Sequence, residues 1–179
     1  MYTVKLKRAE VRPDAICSVL LVGELGAELE NLAGLVLKNA DEQGKHVDVC
    51  TTNHLPILGE DANQPFSVSM IAMVVNLNCK NTILKCRESL QQVPLSFFDG
   101  RLLLAALNIA DEENWSAEPE EIFKISSQYD CPVLWGNLEN RESMNILCRQ
   151  LLQVLHNLSN TNLITTRPTM YIQNPEGRF

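Results

Sequence analysis

Short runs of consecutive apolar residues alternate along this chain with segments in which apolar residues recur every three or four positions. A short apolar run that ends at a turn residue is typical of a strand buried on both faces, whereas the longer spacing is typical of an amphipathic helix. Strands that alternate with helices favour a mostly parallel sheet with helices on both faces. The pattern therefore predicts a three-layer α/β fold in one domain, which suits a chain of 179 residues.

The predicted elements follow this alternation from residue 16 to residue 158. Strands are expected at 16–22, 46–51, 68–75, 101–107 and 131–135. Helices are expected at 25–39, 82–93, 119–129 and 140–158, and a loop is expected at 53–67. Residues 1–15 are mixed and charged and residues 159–179 are polar, so we expect a leader before the domain and a loose tail with at most one docked turn after it.

Acidic residues outnumber basic ones in this chain, 22 against 15, for a formal net charge of −7. A protein that binds nucleic acid through its phosphates normally carries a basic surface. The composition therefore argues against direct nucleic-acid binding. The sequence also has no apolar run long enough to span a membrane and no signal-peptide stretch at residues 1–15, so we expect a soluble nuclear or cytosolic protein.

Six cysteines are spread along the chain without a CxxC pair. The histidines, His46, His54 and His156, are not spaced with them as metal ligands, so we expect buried, reduced thiols and no metal site. An enzyme built on this sheet is the alternative, because Cys50 and His54 lie close together near a predicted strand end. No acid that would orient such a pair is evident, so we expect no enzymatic activity.

The turn after the first predicted strand is where a phosphate would bind in this architecture, because helix N-termini attract anions. A mononucleotide-binding turn needs the pattern G-x-x-x-x-G-K-[ST]. Gly23 holds the first position here, but Glu28 replaces the second glycine, Leu29 the lysine and Glu30 the hydroxyl residue. Like charges about 4 Å apart repel by about 4 kcal/mol at an effective dielectric of about 20. These acids and Glu24 therefore predict that no nucleoside triphosphate binds, although acids also suit a first helical turn.

The order of these strands and turns resembles the Ras-like small GTPases, although most of their nucleotide motifs are lost. The DxxG position falls on 51–54, which reads TTNH, without the aspartate or the glycine. The base-reading NKxD position falls on 108–111, where Asn108 and Asp111 remain, and the SAK position at 137–139 is lost. The resemblance implies a small-GTPase-like fold with a degenerate nucleotide site. Asn108 and Asp111 either cap the strand end or are a remnant of guanine recognition.

Longer stretches resemble the centromere protein M family. They read LLVGELGAELENLAGLVLK, MVVNLNCKNTILKCRESLQQVPLSFFDGRLLLAAL and SSQYDCPVLWGNLENRESMNILCRQLLQVL. Members of this family are kinetochore subunits with a small-GTPase-like fold and no GTPase activity. The resemblance implies a scaffold without a cofactor, in a complex with centromere proteins H, I and K inside the constitutive centromere-associated network, with centromere protein I as its main contact. A weak guanine-nucleotide-binding switch is the alternative function.

Aromatic and apolar residues near predicted loops are the candidate contacts with partners. Phe97 and Phe98 lie beside a predicted turn, and Trp115 lies in an acidic loop. Leu163 and Ile164 follow the last predicted helix. Aromatic side chains in loops are often interface anchors, so we expect these residues to contact a partner. Closure of the core edge is the alternative role for the two phenylalanines.

Overall fold

The computed structural model describes residues 7–8, 17–24, 26–57, 65–160 and 168–171. Within these ranges the strands are β1 (Lys7–Arg8), β2 (Cys17–Val22), β3 (Val47–Thr52), β4 (Pro65–Ser67), β5 (Met70–Asn76), β6 (Leu102–Leu107), β7 (Val133–Gly136) and β8 (Thr169–Tyr171). The helices are α1 (Ala27–Glu42), α2 (Lys80–Leu90), α3 (Pro119–Tyr129) and α4 (Arg141–Asn160). Short 3-10 turns at Leu95–Phe97 and Glu112–Asn114 complete the described elements.

The central sheet has the strand order β1-β3-β2-β5-β6-β7. Five of its strands, β3, β2, β5, β6 and β7, run parallel, and β1 adds an antiparallel edge beside β3. The connections from β2 to β3, from β5 to β6 and from β6 to β7 each contain a helix, as is usual between parallel strands. This is the predicted α/β architecture with a Ras-like arrangement of layers.

Alternate residues of each strand face opposite layers, and this alternation builds two hydrophobic cores. One face of the sheet packs with apolar residues of α2 and α3, among them Ile83 and Ile122. The other face packs with apolar residues of α1 and α4, among them Val36 and Leu151. The predicted stripe of α4 forms this contact with the sheet, so the helix is held by apolar burial along most of its length.

The apolar runs form the buried strands that the sequence predicts, although their bounds differ by a few residues. β2, β5 and β6 are buried along their entire length. The helix expected at 82–93 begins earlier and ends at Leu90.

No helix within the described ranges is long and apolar enough to cross a membrane.

Two short strand pairs lie outside the predicted alternation. Lys7–Arg8, in the expected leader, pairs with β3, and Pro65–Ser67 pairs antiparallel with Thr169–Tyr171 in the expected tail. The expectation of a loop across all of 53–67 is therefore wrong for residues 65–67. Met170 carries this contact into the core, where its side chain is buried. Strands of two or three residues show too little periodicity to be recognised, and their partners lie far away along the chain.

The turn between β2 and α1 begins at a residue that has no room for a side chain. A Cβ atom on Gly23 would lie 2.6 Å from the carbonyl oxygen of Val74 in β5. The backbone nitrogen of Gly23 also donates a hydrogen bond of 3.0 Å to the carbonyl oxygen of Thr52. The glycine therefore allows the turn to pack directly against the neighbouring strand ends.

Replacement of Gly23 by alanine is expected to lower the free energy of unfolding by about 1–3 kcal/mol, because backbone atoms must move to admit the Cβ atom. Gly34 is the matched control, since a Cβ atom at this helical position meets nothing within 4 Å. Gly34→Ala is expected to raise stability by about 0.5–1 kcal/mol through helix propensity. Urea denaturation of both variants measures the two changes. Equal effects of the two substitutions would contradict the packing described for Gly23.

Candidate functional site

The positions that correspond to nucleotide motifs meet at one edge of the sheet. Gly23 follows β2, Asn108 follows β6 and Asn137 follows β7, while Asn76 is the last residue of β5. The carboxyl ends of parallel strands lie at the same edge, which is where ligands bind in open α/β sheets. This edge is therefore the candidate site, and its polar side chains decide what it can do.

The phosphate position of this edge carries the first turn of α1. Glu28 and Glu30 lie in that turn with exposed side chains. Leu29, at the position of the lysine that would contact phosphates, is 2% exposed and packs in the core between α1 and the sheet. A cation at this position would have to be buried in an apolar layer, which strongly disfavours its charged form. The turn therefore supplies carboxylates and an apolar side chain where a nucleotide needs positive charge.

Asn108 uses both ends of its side-chain amide to join strand ends. Its Nδ2 donates to Asn76 Oδ1 at 3.0 Å, and its Oδ1 accepts from the backbone nitrogen of Leu138 at 3.1 Å. The residue is 8% exposed and has a φ of 64°, a left-handed conformation that asparagine tolerates better than most residues. Its amide therefore links the carboxyl ends of β5 and β6 to the segment after β7.

Asp111 is held in a similar way by neighbouring asparagines. Its Oδ2 accepts from Asn78 Nδ2 at 2.5 Å, and its Oδ1 accepts from Asn114 Nδ2 at 2.8 Å. Its backbone nitrogen donates to the carbonyl oxygen of Asn108 at 3.2 Å. A carboxylate that reads a guanine base must offer its oxygens to the base, whereas both oxygens of Asp111 already accept bonds within the chain. This geometry fits the capping interpretation of Asn108 and Asp111.

A second group of hydrogen bonds fixes the segment between β5 and α2. The hydroxyl oxygen of Thr82 lies 2.7 Å from the carbonyl oxygen of Cys79 and 3.0 Å from that of Asn76, so its single proton is placed to donate to either of them. The same oxygen accepts from the backbone nitrogen of Asn76 at 3.0 Å. Asn76 Oδ1 also accepts from the backbone nitrogen of Asn78 at 2.9 Å. Sequence reasoning missed Asn76, Asn78 and Thr82. The signal was the spacing of two asparagines immediately after an apolar run, which is typical of side-chain-capped turns.

Phe97 does not fit the expected role of a partner contact. Its side chain is fully buried, with 0% exposure, and packs in the core on the α2 and α3 side of the sheet. A buried ring offers no surface to a partner, so Phe97 closes the edge of the core, which was the alternative for this residue. The periodicity of the sequence could not separate the two phenylalanines, because a 3-10 turn rather than a regular helix sets their directions.

Phe98 lies at the surface of the same turn and is only partly buried. Its ring stacks on Tyr129 with a centroid distance of 5.7 Å and an interplanar angle of 21°. Leu95, in the same turn, is 88% exposed, which makes it the most exposed of the large hydrophobic side chains among the described residues. Leu95 and Phe98 therefore form an apolar surface, called here the 95–98 surface.

Trp115 connects the acidic loop to the candidate site. Its Nε1 donates to the carbonyl oxygen of Asn108 at 2.9 Å, and its partly buried ring packs against the core. The backbone nitrogens of Ser116 and Ala117 donate to the carbonyl oxygen of Leu77 at 2.8 and 3.2 Å. The loop is therefore held across the edge of the sheet by these hydrogen bonds.

The other two candidate partner contacts, Leu163 and Ile164, lie outside the described residues.

Most of the cysteines lie in the interior of the protein. Five of them are buried, and Cys79 is exposed. Burial raises the pKa of Cys86 and Cys148 to about 12, so both thiols are protonated at neutral pH. Cys50, the candidate nucleophile, packs in the core on the α2 and α3 side and is 4% exposed. Within the described ranges, no group of three or more histidine, cysteine, aspartate or glutamate residues is arranged to hold a metal ion.

Comparison with known proteins gives consistent matches. Residues 6–167 match a family model described as centromere protein M. Human centromere protein M is 30% identical to this chain over 138 residues, which cover 77% of this chain and 74% of the human protein. Bovine centromere protein M is 27% identical over 138 residues, with the same shares of the two chains.

Replacement of Asn108 by alanine is expected to lower the free energy of unfolding by about 2–4 kcal/mol, because it leaves buried polar groups without partners and places alanine at a positive φ. Asn108→Gly relieves the backbone strain and is expected to lose less stability. Asn114→Ala is the control on the exposed side of the network, with an expected change within about 0.5 kcal/mol. Chemical denaturation measures all three variants. Wild-type stability of Asn108→Ala would contradict the role given to this amide.

Proposed function

The chain belongs to the centromere protein M family, and we propose that it acts as a non-catalytic scaffold subunit of the inner kinetochore. In this proposal the chain works in the nucleus, at the centromere, as part of the constitutive centromere-associated network. It assembles with centromere proteins I, H and K, and centromere protein I is its main contact. Residues 16–158 form the small-GTPase-like scaffold domain, with the leader 1–15 and the tail 159–179 attached to it.

The observation that carries this proposal is the state of the candidate nucleotide edge. Asn108 and Asp111 are both engaged in hydrogen bonds within the chain, and Leu29 fills the lysine position from inside the core. The exposed groups at the phosphate position are the carboxylates of Glu28 and Glu30. An edge with these properties favours a structural role for the fold over nucleotide binding.

The 95–98 surface is the part of the described chain that best suits the contact with centromere protein I. A stacked pair of aromatic rings beside an exposed leucine offers apolar area that a partner can bury, and aromatic side chains such as tyrosine are enriched among interface anchors. Trp115 contributes through its half-buried ring, and we propose Leu163 and Ile164 as further contacts from the tail. Phe97 supports this surface from below without contacting the partner.

The charge of the chain supports a scaffold that acts through other proteins. The net charge of −7 gives the chain no general attraction for the phosphates of DNA. We therefore propose that contact with centromeric chromatin is supplied mainly by the partners.

Titration of the chain with mant-GDP or mant-GTP in the presence of magnesium is expected to give no saturable change in fluorescence. The carboxylates at the phosphate position would repel the phosphates, and the side-chain amide of Asn108 is already hydrogen-bonded within the chain. An active small GTPase in the same buffer is the positive control. Saturable binding in the micromolar range, or hydrolysis above background, would contradict the scaffold proposal and support the guanine-nucleotide switch.

Leu95→Glu is expected to weaken co-purification with centromere protein I at least about tenfold, because it places a charge in the centre of an apolar contact. Leu84→Glu is the matched control, since Leu84 is also exposed but lies on α2. Both variants are expected to melt like the wild type, because neither side chain is part of the core. Undisturbed co-purification of Leu95→Glu would remove the 95–98 surface from the interface.

A further inference from the structure

The outer edge of β7 presents backbone hydrogen-bonding groups that the sheet does not use. Among the described residues, β7 pairs with β6 on one side and ends the sheet on the other. The carbonyl oxygen of Pro132 accepts from the backbone nitrogen of Leu104 in β6 at 2.9 Å, and that of Gly136 accepts from Asn108, just after β6, at 2.8 Å. Because successive residues of a strand point to opposite sides, the amide and carbonyl groups of Val133 and Trp135 face outward.

The side chains along this edge are apolar and incompletely covered. Val133, Leu134 and Trp135 are each only partly buried, unlike the apolar residues of β2, β5 and β6. Phe123 of α3 lies over Trp135 with a ring centroid distance of 5.4 Å, and its own side chain is 53% exposed. The open backbone edge is therefore bordered by an aromatic pair in which Phe123 is exposed and Trp135 is partly buried.

The edge has one of the devices that limit strand addition, because β7 is only four residues long, but it lacks the others. Natural edge strands are also protected by charged residues, by bulges or by a covering element. The segment Val133–Gly136 contains no charged residue, and it pairs in regular register with β6. The opposite side of the sheet differs, because β1 covers β3 there. An exposed strand edge of this kind can accept another extended backbone, whose amide and carbonyl groups replace water as the partners of its own.

The charges around β7 indicate what kind of strand fits. Asp130 lies just before the strand and Glu139 just after it, and both side chains are exposed, as are those of Lys124 beside Phe123 and Arg141 two residues after Glu139. A second copy of this chain would bring the same acids to the edge, so like charges disfavour self-pairing. A strand with basic residues at both ends would meet opposite charges instead.

We propose that the outer edge of β7 is a docking site for an extended segment of a partner protein, with alternating apolar residues and a basic residue at each end. The segment adds a strand to the sheet through the outward groups of Val133 and Trp135, and its apolar side chains cover Trp135 and Phe123. This site is separate from the 95–98 surface and goes beyond the scaffold role proposed above.

A synthetic peptide of alternating valine and threonine with lysine at both ends is the probe, added to the full chain labelled with nitrogen-15. The expected result is saturable shifts of the Val133 and Trp135 backbone amides, with protection of both from hydrogen exchange. A twin peptide methylated on its edge-facing nitrogens is expected not to bind, because it keeps its side chains but loses its donors. A peptide with glutamate at both ends is expected to bind at least about tenfold more weakly.

Two variants keep the test separate from the scaffold proposal. Val133→Lys is expected to weaken binding of the lysine-ended peptide about tenfold or more through like-charge repulsion, while the chain still melts cooperatively. Leu95→Glu is expected to bind the peptide like the wild type, so failure at one surface is visible independently of the other. The proposal is overturned if the two amides do not shift up to about 1 mM peptide, if the methylated twin binds equally well, or if β7 pairs with a second copy of the chain.

Discussion

Both faces of the central sheet are buried, and this constraint decides where the polar groups of the protein can lie. Apolar residues of β2, β5 and β6 alternate between the α2 and α3 layer and the α1 and α4 layer. Polar side chains are therefore concentrated at the strand ends. At the carboxyl edge, the backbone amide and carbonyl groups at the ends of several strands need hydrogen-bond partners within a small volume.

In this protein the chain satisfies most of that edge with its own hydrogen bonds, although the buried Oδ1 of Asn78 has no hydrogen-bond partner among the described residues. Asn108 joins Asn76 to the backbone of Leu138, and Trp115 donates to the carbonyl oxygen of Asn108. Asp111 continues the network through Asn78 and Asn114. Side chains at the positions of the small-GTPase base-reading motif are thus used to hold loops together. The packing of the fold depends on the apolar strands and does not require a ligand at this edge.

The sequence predicted the parallel strands and the four helices because each carries its own apolar periodicity. The sequence also predicted a degenerate phosphate turn from residue types at fixed spacing, and this stays a prediction. The contacts between distant segments were not readable, because β4 and β8 lie about a hundred residues apart and show no pattern of their own. The side-chain network at the carboxyl edge was missed for a related reason, since Asn76 and Asn108 meet only after the sheet has formed. Phe97 and Phe98 are neighbours in the sequence, but Phe97 is buried and Phe98 is only partly buried. This difference depends on the short 3-10 turn that sets the directions of the two side chains.

The central claim is that the edge is closed by its own hydrogen bonds, and the side-chain amide of Asn108 reports on it directly. Nitrogen-15 spectra resolve the Nδ2 protons of asparagine, so their exchange with solvent can be followed with and without magnesium and GDP. The account predicts slow exchange of the Asn108 amide protons and no change in their chemical shifts when GDP is added. Rapid exchange, or a saturable shift of this amide with GDP, would contradict the account.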